Sequence, residues 1–475
     1  MLVIISDLHL GDGTTATSIP ASAFYLFAKR LRQDAHFASQ RDKTYRPIED
    51  LDVLLMGDIL DPIHSTRWFF PLGEKTSSRL TTPGDPEYVR PWSDPNDPKF
   101  AAKLLEVTRA ILDENKEAFD ILRRLSTGEF IEFDPSNERG ERDTASEHKI
   151  HLKVRFHYMV GNHDWYYHLK GEAFDQIRAE IIQAMGLSNP PTPFPFDLQK
   201  TDPSLPWEAD EALHIRRLFS EYRVFARHGD VFDFFNFDRE KGRDVATLGD
   251  VFAMEVINKF PEALQRTSDM DSSVINDLRQ MTNVRPALAT PVWINNQIRT
   301  LSSNQKLGAS GEKELKKVWD KLASEFLELE FVRRADKAYR FDLVDKLQAV
   351  IFLSKLVTFE AADRLTLRLQ SGRRSKTDRS FASYALKEPS LLDHSANYIV
   401  YGHTHYHETI PLDNDSTRGN QIYFNSGTWH TYYDLARKNP TERKFVPYKA
   451  LTYITFYKAH EHDDRKFETW SGAYA

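Results

Sequence analysis

The sequence contains no cysteine among its 475 residues. This absence excludes disulfide bonds and thiolate metal ligands, because both require a cysteine sulfur. Any bound metal ion must therefore be held by histidine, aspartate, asparagine, glutamate or backbone oxygen atoms. The absence is also compatible with the cytosol, where disulfides are rare.

Long apolar runs are absent as well. No stretch reaches the roughly 18 consecutive apolar residues that mark a candidate membrane-spanning helix. The N-terminal MLVIISDLHL lacks the basic lead and small-residue cleavage site of a secretory signal. We therefore expect a soluble, cytoplasmic protein without a transmembrane segment.

An excess of basic residues is missing too, since the net charge is −7. The whole chain does not have the basic footprint that dominates non-specific nucleic-acid binding, although a local basic groove is compatible with this charge. Hydrophobic residues make up 40% and charged residues 28%, as in ordinary globular proteins.

Four short apolar segments each end in a cluster of polar residues. They are LVIIS at 2–6 before DLH, DVLLM at 52–56 before GDILD, FHYMV at 156–160 before GNHD, and NYIVY at 397–401 before GHTH. Their apolar, β-branched composition predicts buried strands. Helical periodicity in SAFYLFAKRLRQDAHFASQ and GEAFDQIRAEIIQAMG indicates an α/β layered core, in which ligands gather beyond the carboxyl ends of the strands.

The C-terminal segments ETIPL, QIYFNSGTW and ALTYITFYK alternate apolar and polar residues and predict antiparallel strands that complete a mixed sheet sandwich. We predict a core of residues 1–62, 153–238 and 391–475, a first insertion of residues 63–152, and a mostly helical cap insertion of residues 239–390. Both insertions are expected to fold over the crevice. The helical run at 343–357 is a candidate surface for self-association, and packing of the cap on itself explains it equally well.

Histidines and carboxylates are concentrated at the predicted strand ends. These residues are Asp7 and His9 in SDLHLGDG, Asp58 and Asp61 in GDILD, Asn162, His163 and Asp164 in GNHD, His228 in ARHGD, and His403 and His405 in GHTH. Such nitrogen and oxygen donors suit manganese, iron or zinc. The set is too large for one ion, so it predicts two ions sharing a carboxylate, an arrangement suited to phosphoester hydrolysis.

The motifs DxH, GDxxD, GNHD, a histidine before Gly-Asp, and GHxH, in this order, resemble those of the calcineurin-like metallophosphoesterase superfamily. The resemblance covers the three predicted core pieces and implies an αββα mixed β-sandwich flanked by helices. It also implies a hydrolase with two divalent metal cofactors, manganese first among them, and a hydroxide that bridges the metals as nucleophile. SDLHLGD and ARHGDVFD are similar to the branch of UDP-diacylglucosamine pyrophosphohydrolases, and GNHD and GHTH are similar to SbcD-type exonucleases.

By this resemblance, the first metal is held by Asp7, His9, Asp58 and His405, and the second by Asp58, Asn162, His228 and His403. His163 is the general acid for the leaving oxygen, and Asp61 orients its ring. A substrate-binding role for His163 and a turn-capping role for Asp61 are the alternatives. Weaker candidates for substrate contact are His64, Trp165 and His407.

Three functions follow from these expectations. The first is a phosphodiesterase or phosphatase acting on a nucleotide-like or other small phosphorylated substrate. The second is a manganese-dependent nuclease acting on DNA or RNA. The third is a scaffold that has kept the metallophosphoesterase fold without catalysis and binds partners through its helical insertion.

Overall fold

The four apolar segments that predict buried strands are strands in the computed structural model of the protein. The structure describes residues 1–15, 17–41, 44–74, 79–198, 210–284, 290–303, 308–338, 380–415, 417, 419–435 and 445–473. The candidate self-association segment at 343–357 lies outside the described residues.

The described strands alternate with helices in the first half of the chain and dominate its C-terminal part. The strands are β1 (Leu2–Ile5), β2 (Gln40–Arg41), β3 (Thr44–Tyr45), β4 (Leu51–Met56), β5 (Glu132–Phe133), β6 (Ile150–His151), β7 (Val154–Met159), β8 (Val224–Ala226), β9 (Tyr398–Tyr401), β10 (Glu408–Asp415), β11 (Gly419–Asn425), β12 (Thr431–Leu435), β13 (Phe445–Phe456) and β14 (Phe467–Ala473). The predicted C-terminal strands are confirmed by β10, β11 and β13.

The described helices form one group within residues 21–222 and a second within residues 248–338, and two short helices precede β9. They are α1 (Ala21–Ala38), α2 (Pro98–Glu114), α3 (Lys116–Thr127), α4 (Glu172–Met185), α5 (Asp210–Tyr222), α6 (Leu248–Phe252), α7 (Lys259–Thr267), α8 (Ser272–Arg279), α9 (Thr290–Ser303), α10 (Ala309–Glu328), α11 (Glu330–Ala338), α12 (Ala382–Ala385) and α13 (Pro389–Leu392). Gly186 follows the last residue of α4 and caps the helix, with a φ of 70° in the left-handed region that glycine tolerates. No helix among the described residues is both long and apolar enough to cross a bilayer.

Two mixed sheets form the centre of this mixed α/β fold. In the six-stranded sheet, β1, β4 and β7 are parallel and β13 is antiparallel to β1. In the four-stranded sheet, β8, β9 and β11 are parallel and β10 is antiparallel to β11. The mixed sheet system predicted from the sequence is therefore confirmed.

Alternating side chains of β1 and β4 divide the interior into two hydrophobic clusters. Leu2 and Leu54 face the second sheet and pack with its apolar residues, such as Ile399. Val3 and Val53 point to the opposite face and pack with α1, α2, α3 and α4. Helices α2 and α3, which belong to the predicted first insertion, thus share a core with the six-stranded sheet.

The helices of residues 248–338 form a third hydrophobic cluster of their own. This cluster meets the rest of the protein through apolar side chains such as Trp92 and Tyr433 and through polar contacts. Asn258 donates a hydrogen bond to the Ile63 carbonyl (2.8 Å), and Arg90 pairs with Glu255 (3.2 Å). These contacts place the helical region next to the loop that follows β4.

A buried polar cluster lies at the opposite end of β4 from that loop. Arg155 on β7 pairs with both oxygens of Asp52, and His157 lies 2.8 Å from its Oδ1. His214 on α5 also reaches Oδ1, at 3.2 Å. Burial disfavours the charge of Asp52, but hydrogen bonds from His157, His214 and Arg155 lower the pKa of its carboxyl from the ordinary value of 3.8. The cluster thereby fastens α5 to the sheet.

We expect Asp52→Asn to lower the free energy of unfolding by about 3 kcal/mol at neutral pH, because a buried charged network loses its acceptor. Folding lowers the pKa of Asp52 from its ordinary value of 3.8. The charged carboxylate therefore stabilises the fold fully above pH 3.8, and this contribution declines as the pH falls below that value. The difference between wild type and variant should therefore shrink by about 1 kcal/mol between pH 5 and pH 3 in urea unfolding. Asp50→Asn is the comparison variant: this carboxylate pairs with the same arginine but is 40% exposed, so its replacement should cost less stability. A difference independent of pH would contradict the assignment.

Candidate metal centre

Five loops carry the predicted ligands, and each loop follows the carboxyl end of a parallel strand. Asp7 and His9 follow β1, Asp58 follows β4, Asn162 follows β7, His228 follows β8, and His403 and His405 follow β9. The structure brings all seven residues together at one edge of the two sheets. The predicted convergence of the polar clusters is confirmed.

Backbone strain is concentrated in these loops. Five of the seven predicted ligands have positive φ: Asp7 (55°), His9 (47°), Asp58 (54°), His403 (67°) and His405 (63°). A non-glycine residue in this region costs about 1–2 kcal/mol, and such residues cluster at functional sites. The surrounding structure must therefore hold these loops in place.

Hydrogen bonds from the NSGTW segment provide part of this support. Thr428 Oγ1 donates to the Asp7 carbonyl (2.7 Å), and the Trp429 backbone N–H donates to the same oxygen (3.0 Å). Asn425 Nδ2 donates to the Gly402 carbonyl (2.9 Å). The segment thereby ties the loop after β1 to the loop after β9.

Two glycines allow the loops to approach one another closely. A Cβ on Gly161 would lie 2.8 Å from both the Asp58 nitrogen and His228 Cδ2, and a Cβ on Gly402 would lie 2.5 Å from Asp7 Oδ2. Neither residue has positive φ, so it is the lack of a side chain that matters at both positions.

The first ligand group consists of Asp7, His9 and His405. Asp7 Oδ1 lies 3.3 Å from His405 Nε2, and the Nε2 atoms of His9 and His405 are 3.0 Å apart. Asp7 is fully buried, and among the described residues its Oδ1 accepts no hydrogen bond. Burial opposes the charge of Asp7, but the nearby imidazoles of His228 and His405 hold the pKa of its carboxyl well below the ordinary value.

The second ligand group consists of Asp58, Asn162, His228 and His403. Asn162 Oδ1 lies 3.2 Å from His228 Nε2 and 2.9 Å from His403 Nδ1. Asp58 Oδ2 lies 3.2 Å from His228 Nε2 and also 3.8 Å from His9 Nε2 of the first group. Asp58 is thus the carboxylate that faces both groups.

Hydrogen bonds on the far side of the imidazoles fix which nitrogen faces each group. His9 Nδ1 donates to Asp61, His228 Nδ1 to the Met56 carbonyl, and His403 Nε2 to Asp233, each at 3.1 Å. Metal-binding histidines typically carry such a hydrogen bond, which orients the ring and leaves the other nitrogen as a ligand.

These contacts fit divalent ions. In the first group, the Nε2 atoms of His9 and His405 face each other. In the second group, Asn162 Oδ1 faces a ring nitrogen of His228 and one of His403. The potential donor atoms of each group therefore point toward one another. Buried carboxylates, imidazoles and an amide are ligands for manganese, iron or zinc. The described residues can therefore hold metal ions at both groups.

His163 and Asp61 lie beside the two groups and contact each other. His163 Nδ1 is 3.0 Å from Asp61 Oδ1, and the His163 side chain is 15% exposed, against 2% for His9. The His163 ring meets the His9 ring edge-on at 4.6 Å. His163 also lies within ligand distance of His9 and Asp58, so the geometry alone is compatible with a ligand role.

Asp61 accepts hydrogen bonds from three histidines. Besides His163, it binds His9 Nδ1 (3.1 Å) and His64 Nδ1 (2.8 Å) through Oδ2. Burial raises the pKa of Asp61, but His64 and His163 hold it well below the ordinary value, so the carboxylate is charged at neutral pH.

The three weaker candidates lie in different surroundings. His64 is next to His163, with ring centroids 5.0 Å apart. Trp165 is buried and forms part of the wall of a large cavity. His407 belongs to none of the metal-compatible groups among the described residues. The structure therefore keeps His64 and Trp165 near the centre and sets His407 apart from the ligand groups.

Two neighbours of the centre were missed in the sequence. Asp233, five residues after His228, binds His403 Nε2. His430 is buried with its ring centroid 5.6 Å from that of His9, and its Nε2 lies 2.7 Å from Asn283 Oδ1. Asp233 ends the HGDVFD segment and His430 ends the NSGTWH segment, so both lie next to sequence motifs of the site. Neither segment indicates which residue the side chain contacts.

We expect purified protein to bind two divalent ions per chain near pH 7.5, because two ligand groups share Asp58. His405→Ala should bind one ion, since the second group is intact, and His403→Ala should bind one through the first group. Elemental analysis after dialysis against manganese measures the stoichiometry. His460→Ala, a side chain 78% exposed, should still bind two ions. Two ions in both site variants would show that these groups are not the ligands.

Comparisons with known proteins do not assign the chain to a family. No family model matches the sequence. No curated protein matches it either.

Proposed function

We propose that the protein is a two-metal phosphoesterase of the calcineurin-like superfamily that hydrolyses a small phosphorylated substrate. The observation that carries the proposal is Asp58, which faces a histidine of each ligand group, at 3.2 Å and 3.8 Å. A shared carboxylate between two nitrogen and oxygen ligand groups suits paired ions, which phosphoesterases use. The order of the five loops and the two mixed sheets support the family assignment.

In this proposal Asp7, His9, Asp58 and His405 hold one ion, and Asp58, Asn162, His228 and His403 hold the other. Manganese is the first choice, with iron or zinc as alternatives. The ions supply Lewis acidity for the phosphoryl oxygens and lower the pKa of a bound water.

The protein's own contribution to bond cleavage comes from His163. During hydrolysis a water oxygen adds to phosphorus, the bond from phosphorus to the leaving oxygen breaks, and that oxygen needs a proton. His163 is the most exposed ring beside Asp58, and its Nδ1 is bound to Asp61. Its Nε2 is therefore the atom that delivers the proton, and Asp61 stabilises the charged imidazole.

Catalysis is favoured over a non-catalytic scaffold. A scaffold needs no strained ligand loops, yet five predicted ligands have positive φ, and three of the four ligand histidines have a hydrogen-bonded far nitrogen among the contacts described above. Such precise support is expected where a site must hold ions in a fixed geometry.

Asp58→Asn and His403→Ala should each abolish manganese-dependent hydrolysis of bis-p-nitrophenyl phosphate, with a loss of at least about a thousandfold in kcat/KM. Asp58→Asn replaces the shared carboxylate with a neutral amide, and His403→Ala removes one donor of the second group. Matched controls are Asp464→Asn and His460→Ala, since these two side chains are 62% and 78% exposed. Retained activity in either site variant, with a native circular dichroism spectrum, would sink the proposal.

His163→Ala should lower kcat by about a hundredfold to ten-thousandfold for substrates with an alkyl leaving group, since general acid catalysis contributes that much. The loss should be much smaller for a p-nitrophenyl leaving group, which departs without a proton. Metal stoichiometry should remain two per chain. An equal loss for both leaving groups, or a lost ion, would assign His163 to metal binding instead.

A further inference from the structure

A cavity of about 1640 Å³ lies between the two predicted insertions. Its walls come from residues 80–95, residues 234–248 and the helical residues 255–334. Two wall residues are close in sequence to residues of the candidate metal centre. Trp165 is two residues after His163, and Phe234 follows Asp233, which contacts His403.

Aromatic rings form much of the cavity wall. Seven aromatic side chains line it. Trp92 from the first insertion and Phe331 from α11 meet there with ring centroids 6.4 Å apart, and both are only partly buried. Aromatic faces and edges pack favourably against another planar ring. This pair therefore offers a stacking position built jointly by the two insertions.

The charged residues of the wall are balanced and largely paired with one another. Seven lysines and arginines stand against eight carboxylates. Lys259 contacts Glu255 at 2.6 Å and Glu325 at 3.1 Å, and buried Arg90 contacts Glu255 at 3.2 Å. Arg266, Lys321 and Arg334 have carboxylate partners as well. Such a wall has little cationic charge left for a nucleic-acid backbone, whose binding depends on unpaired Lys and Arg.

We propose that this cavity binds a planar aromatic ring, a nucleobase or another aryl group, carried by a small phosphoester whose phosphoryl group lies at the metal centre. The site excludes nucleic-acid strands. This assignment rests on the proposed function for the phosphoryl end, and the cavity binds the ring whether or not hydrolysis follows.

Binding to metal-free protein tests the cavity separately from catalysis. Isothermal titration in excess chelator compares 2-naphthyl phosphate with decahydro-2-naphthyl phosphate, which has the same carbon skeleton without a planar ring. We expect the naphthyl compound to bind with an about fivefold to tenfold lower Kd, as an aromatic contact provides. AMP is the nucleobase arm: tighter binding of AMP than of 2-naphthyl phosphate assigns the ring to a nucleobase, and the reverse assigns it to another aryl group.

Variants locate the binding position. Trp92→Leu should remove the preference for the planar probe, and Trp92→Phe should retain most of it because a ring remains. Tyr25→Leu is the control, since this exposed aromatic residue lies on α1 and does not line the cavity. Should Trp92→Leu unfold the protein, Phe331→Leu tests the other member of the pair.

Equal affinities for the planar and saturated probes would overturn the cavity assignment, as would an unchanged preference in both leucine variants. Displacement of 2-naphthyl phosphate by a thymidine 20-mer at equal concentration would overturn the exclusion of strands. If the protein prefers the planar probe but hydrolyses no phosphoester with manganese, the ring-binding assignment stands and the proposed function is overturned. If it hydrolyses phosphoesters but shows no preference for the planar probe, the proposed function stands and the ring-binding assignment is overturned.

Discussion

The candidate metal centre depends on the placement of one carboxylate, Asp58. Its Oδ2 faces His228 and His9 from different ligand groups, and its Oδ1 accepts the backbone N–H of His163 at 2.8 Å. One side chain thus connects both ligand groups to the loop that bears the proposed acid. It can do so because β4 lies between β1 and β7, so that its end is flanked by the loops of both neighbours.

Asp61 adds a second connection. It binds the far nitrogen of His9, a proposed ligand, and the ring of His163, the proposed acid. In the proposed mechanism, a charge held on Asp61 therefore acts on metal affinity and on proton delivery at once. The two functions cannot be tuned independently through this residue, whereas Asp233 acts on His403 and leaves His163 untouched.

The sequence predicted the strands and the five ligand loops because both depend on local patterns: an apolar run, then glycine and polar residues. It predicted the His163–Asp61 contact only through the family resemblance. The contacts of Asp233 and His430 span 170 and 147 residues of chain, so no local pattern reveals them. The cavity depends on how the two insertions meet, and neither insertion carries a motif that would fix this. The insertion boundaries themselves stay a prediction.

The left-handed backbone conformation of five predicted ligands lowers the stability of the fold. At Asp7, His9, Asp58, His403 and His405, a glycine would relieve backbone strain of about 1–2 kcal/mol per position. Each of these positions therefore trades backbone stability for the side chain that it presents to the candidate site. A redesign guided by stability alone would remove these five predicted ligands first.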